Sequence, residues 1–203
     1  MITLHATKKL MTKLPVDANG LLPLQANTEY LADRHDATQS PLGSWHANLL
    51  TLQRRTCVLL IHDQTRFPLF IPALKKADLV NLNWWFSDAL MNTLLKCGAN
   101  DQLMDQAAAM LHRLQVDTVC DRSVQGTMNQ VAGDIGHLLH YDAVNVAETT
   151  GYRIGASLAH RPCTVKGRKG FVWPDKEFFE LLARASSTEA VPDNVIKFGN
   201  YQQ

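Results

Sequence analysis

Three strand-like runs separated by short polar turns constrain the fold of this chain more than any other feature. Residues 45–52, 56–62 and 66–71 are rich in β-branched, aliphatic and aromatic side chains, a composition typical of β-strands. The turns at 53–55 and 63–65 contain only polar residues. Strands joined by turns this short pair antiparallel, because a parallel connection needs a dozen or more residues. The segment therefore predicts a β-meander.

The last two runs of the meander also carry positional signals. Residues 57–61 are almost continuously apolar, which is typical of a strand buried on both faces. Pro68 lies in the last run and Pro72 directly follows it, and neither can donate a backbone hydrogen bond to a neighbouring strand. They place that run at an edge of the sheet.

The rest of the chain predicts further strands and several helices. Apolar residues at three- and four-residue steps predict helices over 8–14, 75–97, 101–114, 123–141, 151–160 and from Pro174 onward. The predicted fold class is α+β. We expect a single compact domain in which a small, mainly antiparallel sheet packs against several helices. The sheet consists of the meander 45–72 and of strands near 2–7 and 116–120.

The predicted domain covers residues 1–184 as one α+β unit. Within it, residues 15–44 contain several prolines, glycines, asparagines and aspartates with weak periodicity. They predict a long connection, a feature that is often functional or mobile. Residues 185–203 are predicted to be a flexible C-terminal tail. A chain of 203 residues, 46% of them hydrophobic, is long enough to bury one sizeable core.

Composition excludes several classes of protein. The net charge of +1 gives no global field toward nucleic acid or membrane, and no apolar run is long enough to span a bilayer. The N-terminus lacks the architecture of a signal peptide. The four cysteines are scattered without a C-x-x-C pair, which favours thiols in a reducing compartment. We therefore expect a cytoplasmic protein without a membrane partner and without a cofactor.

The stretch from residue 116 to 129 carries the most specific chemistry. A β-rich run changes to helical periodicity at Asp121-Arg122-Ser123, and Ser123 is the predicted N-cap. The first turn of a helix attracts anions through its N–H groups and macrodipole, and Arg122 could add a forked donor. Gly126 would leave room for a close approach, with Asn129 nearby on the same face. These four residues predict an anion- or ligand-binding site.

A structural interpretation of the same stretch competes with this one. Ser123 would only cap the helix, Gly126 would pack against the sheet, and Asn129 would bond to a loop carbonyl. Capping is far commoner than ligand binding. Neither of the two standard glycine-rich nucleotide loops is present.

A basic loop near the C-terminus is the second candidate site. The segment 153–169 contains five arginines and lysines and no acidic residue. Gly167 and Gly170, near the end of this segment, would let the backbone approach a ligand closely. Lys166, Arg168 and Lys169 are therefore predicted to bind an anion, although a solvated turn explains the same composition.

Histidines and aromatic residues offer weaker signals. His137 and His140 are spaced to share a helical face, but two histidines are too few for a zinc site, so no metal site is predicted. Residues 84–86, Trp-Trp-Phe, are core packing in one interpretation and a surface that stacks on a ring or docks a partner in the other.

Several pieces of the chain together resemble an uncharacterised bacterial family, a domain of unknown function. The resemblance covers most of residues 1–184 and rests on Thr3-Leu4 with Thr7-Lys8-Lys9-Leu10, Leu42-Gly43-Ser44-Trp45-His46-Ala47-Asn48-Leu49, Asp121-Arg122-Ser123-Val124 with Gly126, Met128 and Asn129, and Pro174 with Phe178, Leu181 and Leu182. The resemblance implies a single compact domain and brings no activity with it.

Three functions follow as hypotheses. The first is a non-enzymatic binding protein that recognises a phosphate-bearing partner, such as nucleic acid or a nucleotide, and whose binding would depend on salt. The second is an enzyme acting on a phosphate or acyl group at the 121–129 turn, with His46 or His137 as the base. The third is a protein–protein interaction subunit. The catalytic residues, and whether there is catalysis at all, stay open at this point.

Overall fold

The computed structural model describes residues 1–32, 39–165 and 167–189, without the side chains of residues 186–189. Within this part of the chain, five strands form one sheet. They are β1 (Ile2–Ala6), β2 (Ser44–Leu52), β3 (Arg55–His62), β4 (Pro68–Leu74) and β5 (Leu114–Asp117). The order of the strands across the sheet is β4-β3-β2-β1-β5.

Helices cover both faces of the sheet. The described α-helices are α1 (Lys8–Met11), α2 (Leu82–Lys96), α3 (Asp101–Met110), α4 (Arg122–Tyr141), α5 (Gly151–Ala159) and α6 (Pro174–Glu189). Two 3₁₀ helices, Ala26–Leu31 and Lys76–Asn81, precede β2 and α2 respectively. The predicted α+β class and single domain are confirmed. None of the described helices combines the length and the apolarity that a bilayer span requires.

The sheet is mixed. β2, β3 and β4 pair antiparallel as the predicted meander, and β4 with its two prolines lies at the edge. β1 pairs parallel with β2 on one side and with β5 on the other. Each parallel pairing needs a long crossover, and the chain supplies it through the connection before β2 and the helices before β5.

Strand alternation divides the interior into two cores, one on each face of the sheet. Val58 and Leu60 of β3 face the first core, which also contains Trp45 and the apolar sides of α2 and α6. Cys57, Leu59 and Ile61 face the second core, which is covered by α4 and α5. The middle run is therefore buried on both sides, as its continuous hydrophobicity predicted.

The connection before β2 is tied down where the structure describes it. Gly20 has a φ of 76°, and a Cβ there would lie 2.4 Å from the carbonyl oxygen of Val116. Leu22, Leu31 and Leu42 are buried. The segment 33–38, which includes the Arg-His-Asp triplet at 34–36, lies outside the described residues.

Several predicted boundaries shift for identifiable reasons. Arg66 was expected to begin a strand, but its φ of 64° is left-handed, so β4 begins at Pro68. The helix predicted from residue 75 starts as a 3₁₀ helix, and the strand predicted at 116–120 runs over Leu114–Asp117 instead. α6 begins at Pro174, as predicted, and reaches Glu189. Residues 190–203 of the predicted tail lie outside the described part.

Candidate functional site

A crevice opens where the two adjacent parallel strands β1 and β5 end. After β1 the chain enters α1, whose Leu10 belongs to the first core. After β5 it enters α4, whose Val124 and Met128 belong to the second core on the opposite face. Neighbouring strands whose connections leave toward opposite faces create a crevice outside their carboxyl ends, the usual ligand position in sheets with parallel strands.

A pocket of about 280 Å³ occupies this crevice. The segments that follow β1 and β5 form its rim, α4 forms one wall, and two histidines contribute side chains from neighbouring strands. The residues that line it are His5, Ala6, Thr7, Lys8, His46, Ala47, Thr118, Val119, Cys120, Gln125 and Met128. Its volume is close to the lower end of the range for small-molecule sites.

His5 in this pocket is oriented by a carboxylate from the next strand. His5 and Asp117 are register partners in the β1–β5 pair, and Nδ1 of His5 lies 2.5 Å from Oδ1 of Asp117. Nε2 of His5 lies 3.6 Å from Oδ2 of Asp63, which is too long for a hydrogen bond. Asp117 therefore fixes the ring at Nδ1, and Nε2 keeps its capacity to exchange a proton.

His46 lies beside His5 but is fully engaged. The ring centroids are 4.9 Å apart. Nε2 of His46 accepts the backbone N–H of Asp121 at 2.8 Å, and Nδ1 lies 2.7 Å from Oδ1 of Asp63. Because an amide N–H can only donate, the ring proton of neutral His46 must sit on Nδ1 and point at Asp63. His46, one of the two bases that the sequence suggested, therefore has both ring nitrogens engaged with other groups of the protein.

Arg66 joins the histidines to the start of α4, and the sequence did not single it out. Its guanidinium donates to the backbone carbonyl of Asp63 and to Oγ of Ser123, the latter at 3.2 Å. The residue is only 5% exposed. Burial lowers the pKa of Arg66, and the carboxylates of Asp121 and Asp63 oppose that shift. A guanidinium held between these groups stays charged.

The start of α4 differs from the prediction in its capping residue. Asp121, not Ser123, is the N-cap, and its Oδ1 accepts the N–H groups of Ser123 at 2.6 Å and Val124 at 3.3 Å. These bonds, with the Ser123 N–H first, hold the pKa of Asp121 below its usual range, and Arg66 adds to the effect. An aspartate takes the cap because its carboxylate also interacts with the positive end of the helix dipole.

This capping carboxylate occupies the N–H groups that the predicted anion site needed. Arg122, Gly126 and Asn129 are exposed, and Ser123 is half-buried with its hydroxyl directed to Arg66. A Cβ at Gly126 would meet no atom of the described residues within 4 Å apart from the backbone of its own helix. The structural interpretation, in which Gly126 packs against the sheet, is therefore wrong at that residue.

The predicted basic loop lies on the Arg66 side of α4. Arg168 is close enough to Arg66 to contribute to the lowering of its pKa, and it pairs with Glu177 at 2.8 Å. Lys169 is exposed. An isolated antiparallel β-bridge between the backbones of Cys163 and Val172 closes the loop. Lys166 lies outside the described residues.

The remaining histidines on α4 lie elsewhere. His137 and His140 are exposed and contact Tyr141 with ring centroids 6.1 and 5.6 Å away. His137, the other suggested base, thus lies on a surface away from the pocket lining. Within the described residues, no three histidine, cysteine, aspartate or glutamate side chains are arranged to hold a metal ion.

Sequence reasoning missed His5, Asp63, Arg66 and Asp117 as site residues. A partial signal was present for His5, which lies near the end of the predicted strand 2–7, whereas Asp117 lies near the start of the predicted strand 116–120 and only the observed bounds of β5 put it at a strand end. The pairing of β1 with β5 brings them into register across 112 positions of sequence, and nothing local in the chain specifies that pairing.

Comparison with known proteins confirms the resemblance found in the sequence. The family model of a domain of unknown function (DUF6933) matches residues 3–177, and the chain belongs to that family. No curated protein and no solved structure matches it.

Proposed function

Since membership of this family assigns no activity, we propose from the site that the protein is an acid–base enzyme acting on a small polar substrate. The observation that carries the proposal is that His5 lines a pocket at the ends of two parallel strands and is held at Nδ1 by Asp117. A histidine with one nitrogen fixed by a carboxylate and the other uncommitted is the arrangement of a general base.

In this proposal Nε2 of His5 takes a proton from a water molecule or a substrate hydroxyl. Asp117 stabilises the imidazolium that forms, and Asp63, 3.6 Å from Nε2, adds a second negative charge. The activated oxygen then attacks an acyl or phosphoryl group of the substrate, the bond from that group to the leaving alcohol breaks, and the His5 imidazolium returns its proton to the departing oxygen. Lys8 at the rim supplies a cation near the charge that develops there. His46 and Arg66 hold Asp63 in place for this role.

The first test compares two identical substitutions at different histidines. His5→Asn and His137→Asn each remove one imidazole, but only His5 lines the pocket. We expect turnover of small esters or phosphate monoesters to fall by about 10²–10⁴-fold in His5→Asn, the usual contribution of a general base, and to stay unchanged in His137→Asn. Circular dichroism checks that both variants are folded.

A second variant covers the case in which His5→Asn fails to fold. Asp117→Asn keeps the shape of its side chain and removes the charge that stabilises the imidazolium, so it should also lower turnover. If folded His5→Asn or Asp117→Asn turned over substrate at the same rate as the wild-type protein, His5 would be refuted as the base.

A second candidate function is recognition of a phosphate-bearing partner, nucleic acid or nucleotide, through Arg122, Ser123, Gly126 and Asn129 with the basic loop of Lys166, Arg168 and Lys169. The proximity of Arg66 to both Ser123 and Arg168 favours this candidate. Through Arg66, the start of α4 and the basic loop are brought near each other although they are distant in sequence. The capping role of Asp121 weighs against it. Affinity for RNA or DNA that falls steeply with salt would support this candidate, and affinity that does not change with salt would exclude it.

A further inference from the structure

A second depression lies on another part of the surface, between the 3₁₀ helix Ala26–Leu31 and the segment that leads into α2. Its volume is about 470 Å³, within the range of small-molecule sites. Two tryptophans and four polar side chains give the groove its chemistry: Gln25, Asn27, Asp78, Asn81, Trp84 and Trp85. No residue of the histidine pocket lines it.

The two tryptophans are only partly buried. Phe86, the third member of the aromatic run, is fully buried against Trp45 at a ring-centroid distance of 5.2 Å. Trp84 and Trp85 are partly buried, Trp85 also packs against the first core, and the two rings contact each other nearly edge to face, with centroids 4.7 Å apart and an interplanar angle of 77°. Both indoles also line the groove.

Hydrogen bonds within the protein fix the segments that form the walls of the groove. Asn83 donates from Nδ2 to the carbonyl of Pro23 at 3.2 Å and accepts the N–H of Leu114 at 2.9 Å. It ties α2 to the chain that precedes the first 3₁₀ helix. That helix begins with reciprocal bonds between Gln25 and Thr28, and the second with a bond from the Lys75 N–H to Asp78. Such preorganisation reduces the entropy that binding must offset.

The charge and hydrogen-bonding capacity of the lining indicate the class of ligand. Of the described residues that line the groove, none is lysine, arginine or histidine, so a phosphate or carboxylate would find no cation there. Asn81 has a buried Oδ1 with no donor among the described residues, and an unpaired buried acceptor is costly. A rotation of this amide would present the acceptor to a hydroxyl donor in the groove.

We propose that this groove binds a neutral saccharide. A sugar ring has an apolar C–H face that can lie on an indole, and hydroxyl groups that can donate and accept around its edge. The lining matches both properties with two tryptophans and with amide and carboxylate side chains. The site is separate from the acid–base pocket, and either proposal can fail without the other.

Tryptophan signals provide a direct test, because the chain has four tryptophans. The full-length protein, labelled with ¹⁵N at the indole nitrogens, is titrated with glucose, galactose, N-acetylglucosamine and maltose. We expect saturable shifts of the Trp84 and Trp85 signals, assigned with Trp84→Phe and Trp85→Phe, and no shift of buried Trp45. Trp84→Ala should weaken the affinity by about tenfold or more.

Trp173→Ala is the matched control, because Trp173 is 42% exposed and lies elsewhere, beside Lys176. It should leave the titration unchanged. Asn81→Leu, which keeps both indoles, should also weaken binding if the amide contacts the sugar, and it replaces Trp84→Ala if that variant does not fold. Absence of saturable shifts with every sugar, or equal affinity in the folded Trp84→Ala variant, would overturn the proposal. The same titration is repeated with adenosine and uridine, and saturable shifts with these nucleosides but with none of the sugars would overturn the saccharide in favour of a nucleobase.

Discussion

Burial and hydrogen bonding give three neighbouring histidines three different roles. His5 keeps an uncommitted nitrogen in the pocket, and His46 is held at both nitrogens. His62 is buried between Trp45 and Phe178, where Nδ1 accepts from Thr65 and a backbone hydrogen bond is made with Leu42. Burial lowers the pKa of His62 to about 4. His62 is thus a neutral, structural part of the first core.

The low pKa of His62 predicts a loss of stability in acid. Unfolding restores its ordinary pKa of 6.5, so between pH 6.5 and about 4 the unfolded state binds a proton that the folded state does not. The free energy of unfolding should therefore decrease as the pH falls through this window, by up to about 3 kcal/mol from this residue, and then level off.

Urea denaturation at several pH values from 7 to 4 would measure this effect, with His62→Gln as the non-titrating comparison. The variant should be less stable at neutral pH, and its deficit relative to wild type should shrink toward pH 4. Parallel stability curves for the two proteins would show that His62 does not carry the proton linkage.

At the level of elements, close backbone approach fixes how α5 packs against β4. Gly151 and Gly155 are buried and one helical turn apart. A Cβ at Gly151 would lie 1.9 Å from the carbonyl oxygen of Phe70 in β4, and one at Gly155 would lie 3.3 Å from the carbonyl oxygen of Pro68 in β4. The helix therefore lies against the strand at a distance that only glycine permits at Gly151.

Gly151→Ala and Gly133→Ala form a matched pair. The first forces α5 away from β4 and should lower the free energy of unfolding by about 1–3 kcal/mol or more. The second substitution is at Gly133, on an exposed face in the middle of α4, where an added Cβ would meet no atom of the described part of the chain within 4 Å apart from the helix's own backbone. It should raise stability by about 0.5–1 kcal/mol, because alanine is the better helix former. Chemical denaturation of both variants measures the difference, and equal effects would contradict the packing argument.

At the level of the whole molecule, one sheet supports two cores, so we expect them to unfold together. Leu59 and Leu60 are adjacent and fully buried, but they face the second and the first core respectively. Leu59→Ala and Leu60→Ala should each cost about 2–5 kcal/mol. Each should shift a single transition in which far-ultraviolet circular dichroism and tryptophan fluorescence coincide.

Leu95→Ala is the control for this pair, because Leu95 is 57% exposed on α2. It should change stability by no more than about 0.5 kcal/mol. If Leu59→Ala melted α4 and α5 while the fluorescence of buried Trp45 stayed native, the two cores would be separate cooperative units.

The sequence by itself determined the elements whose signals are local. Strand-like runs of apolar residues separated by short polar turns specified the meander, and prolines specified the edge position of β4 and the start of α6 at Pro174. These signals are local because each preference acts within a few residues. The α+β class followed from the same local patterns, and the family resemblance rested on separate short motifs such as Trp45 to Leu49 and Asp121 to Asn129. The capping residue of α4 was misplaced by two positions because Asp121 and Ser123 are both good caps, and only the backbone conformation at Asp121 decides between them.

Only the tertiary structure decided the site. The parallel pairing of β1 with β5 sets His5 against Asp117, and the loop after β3 adds Asp63 and Arg66. The order of the strands depends on how both faces of the sheet are buried in the two cores. That burial involves residues far apart in sequence, so no local pattern could reveal the order. The same long-range pairing made the sheet mixed. It also put the pocket at the ends of β1 and β5, where the histidine and its carboxylate meet.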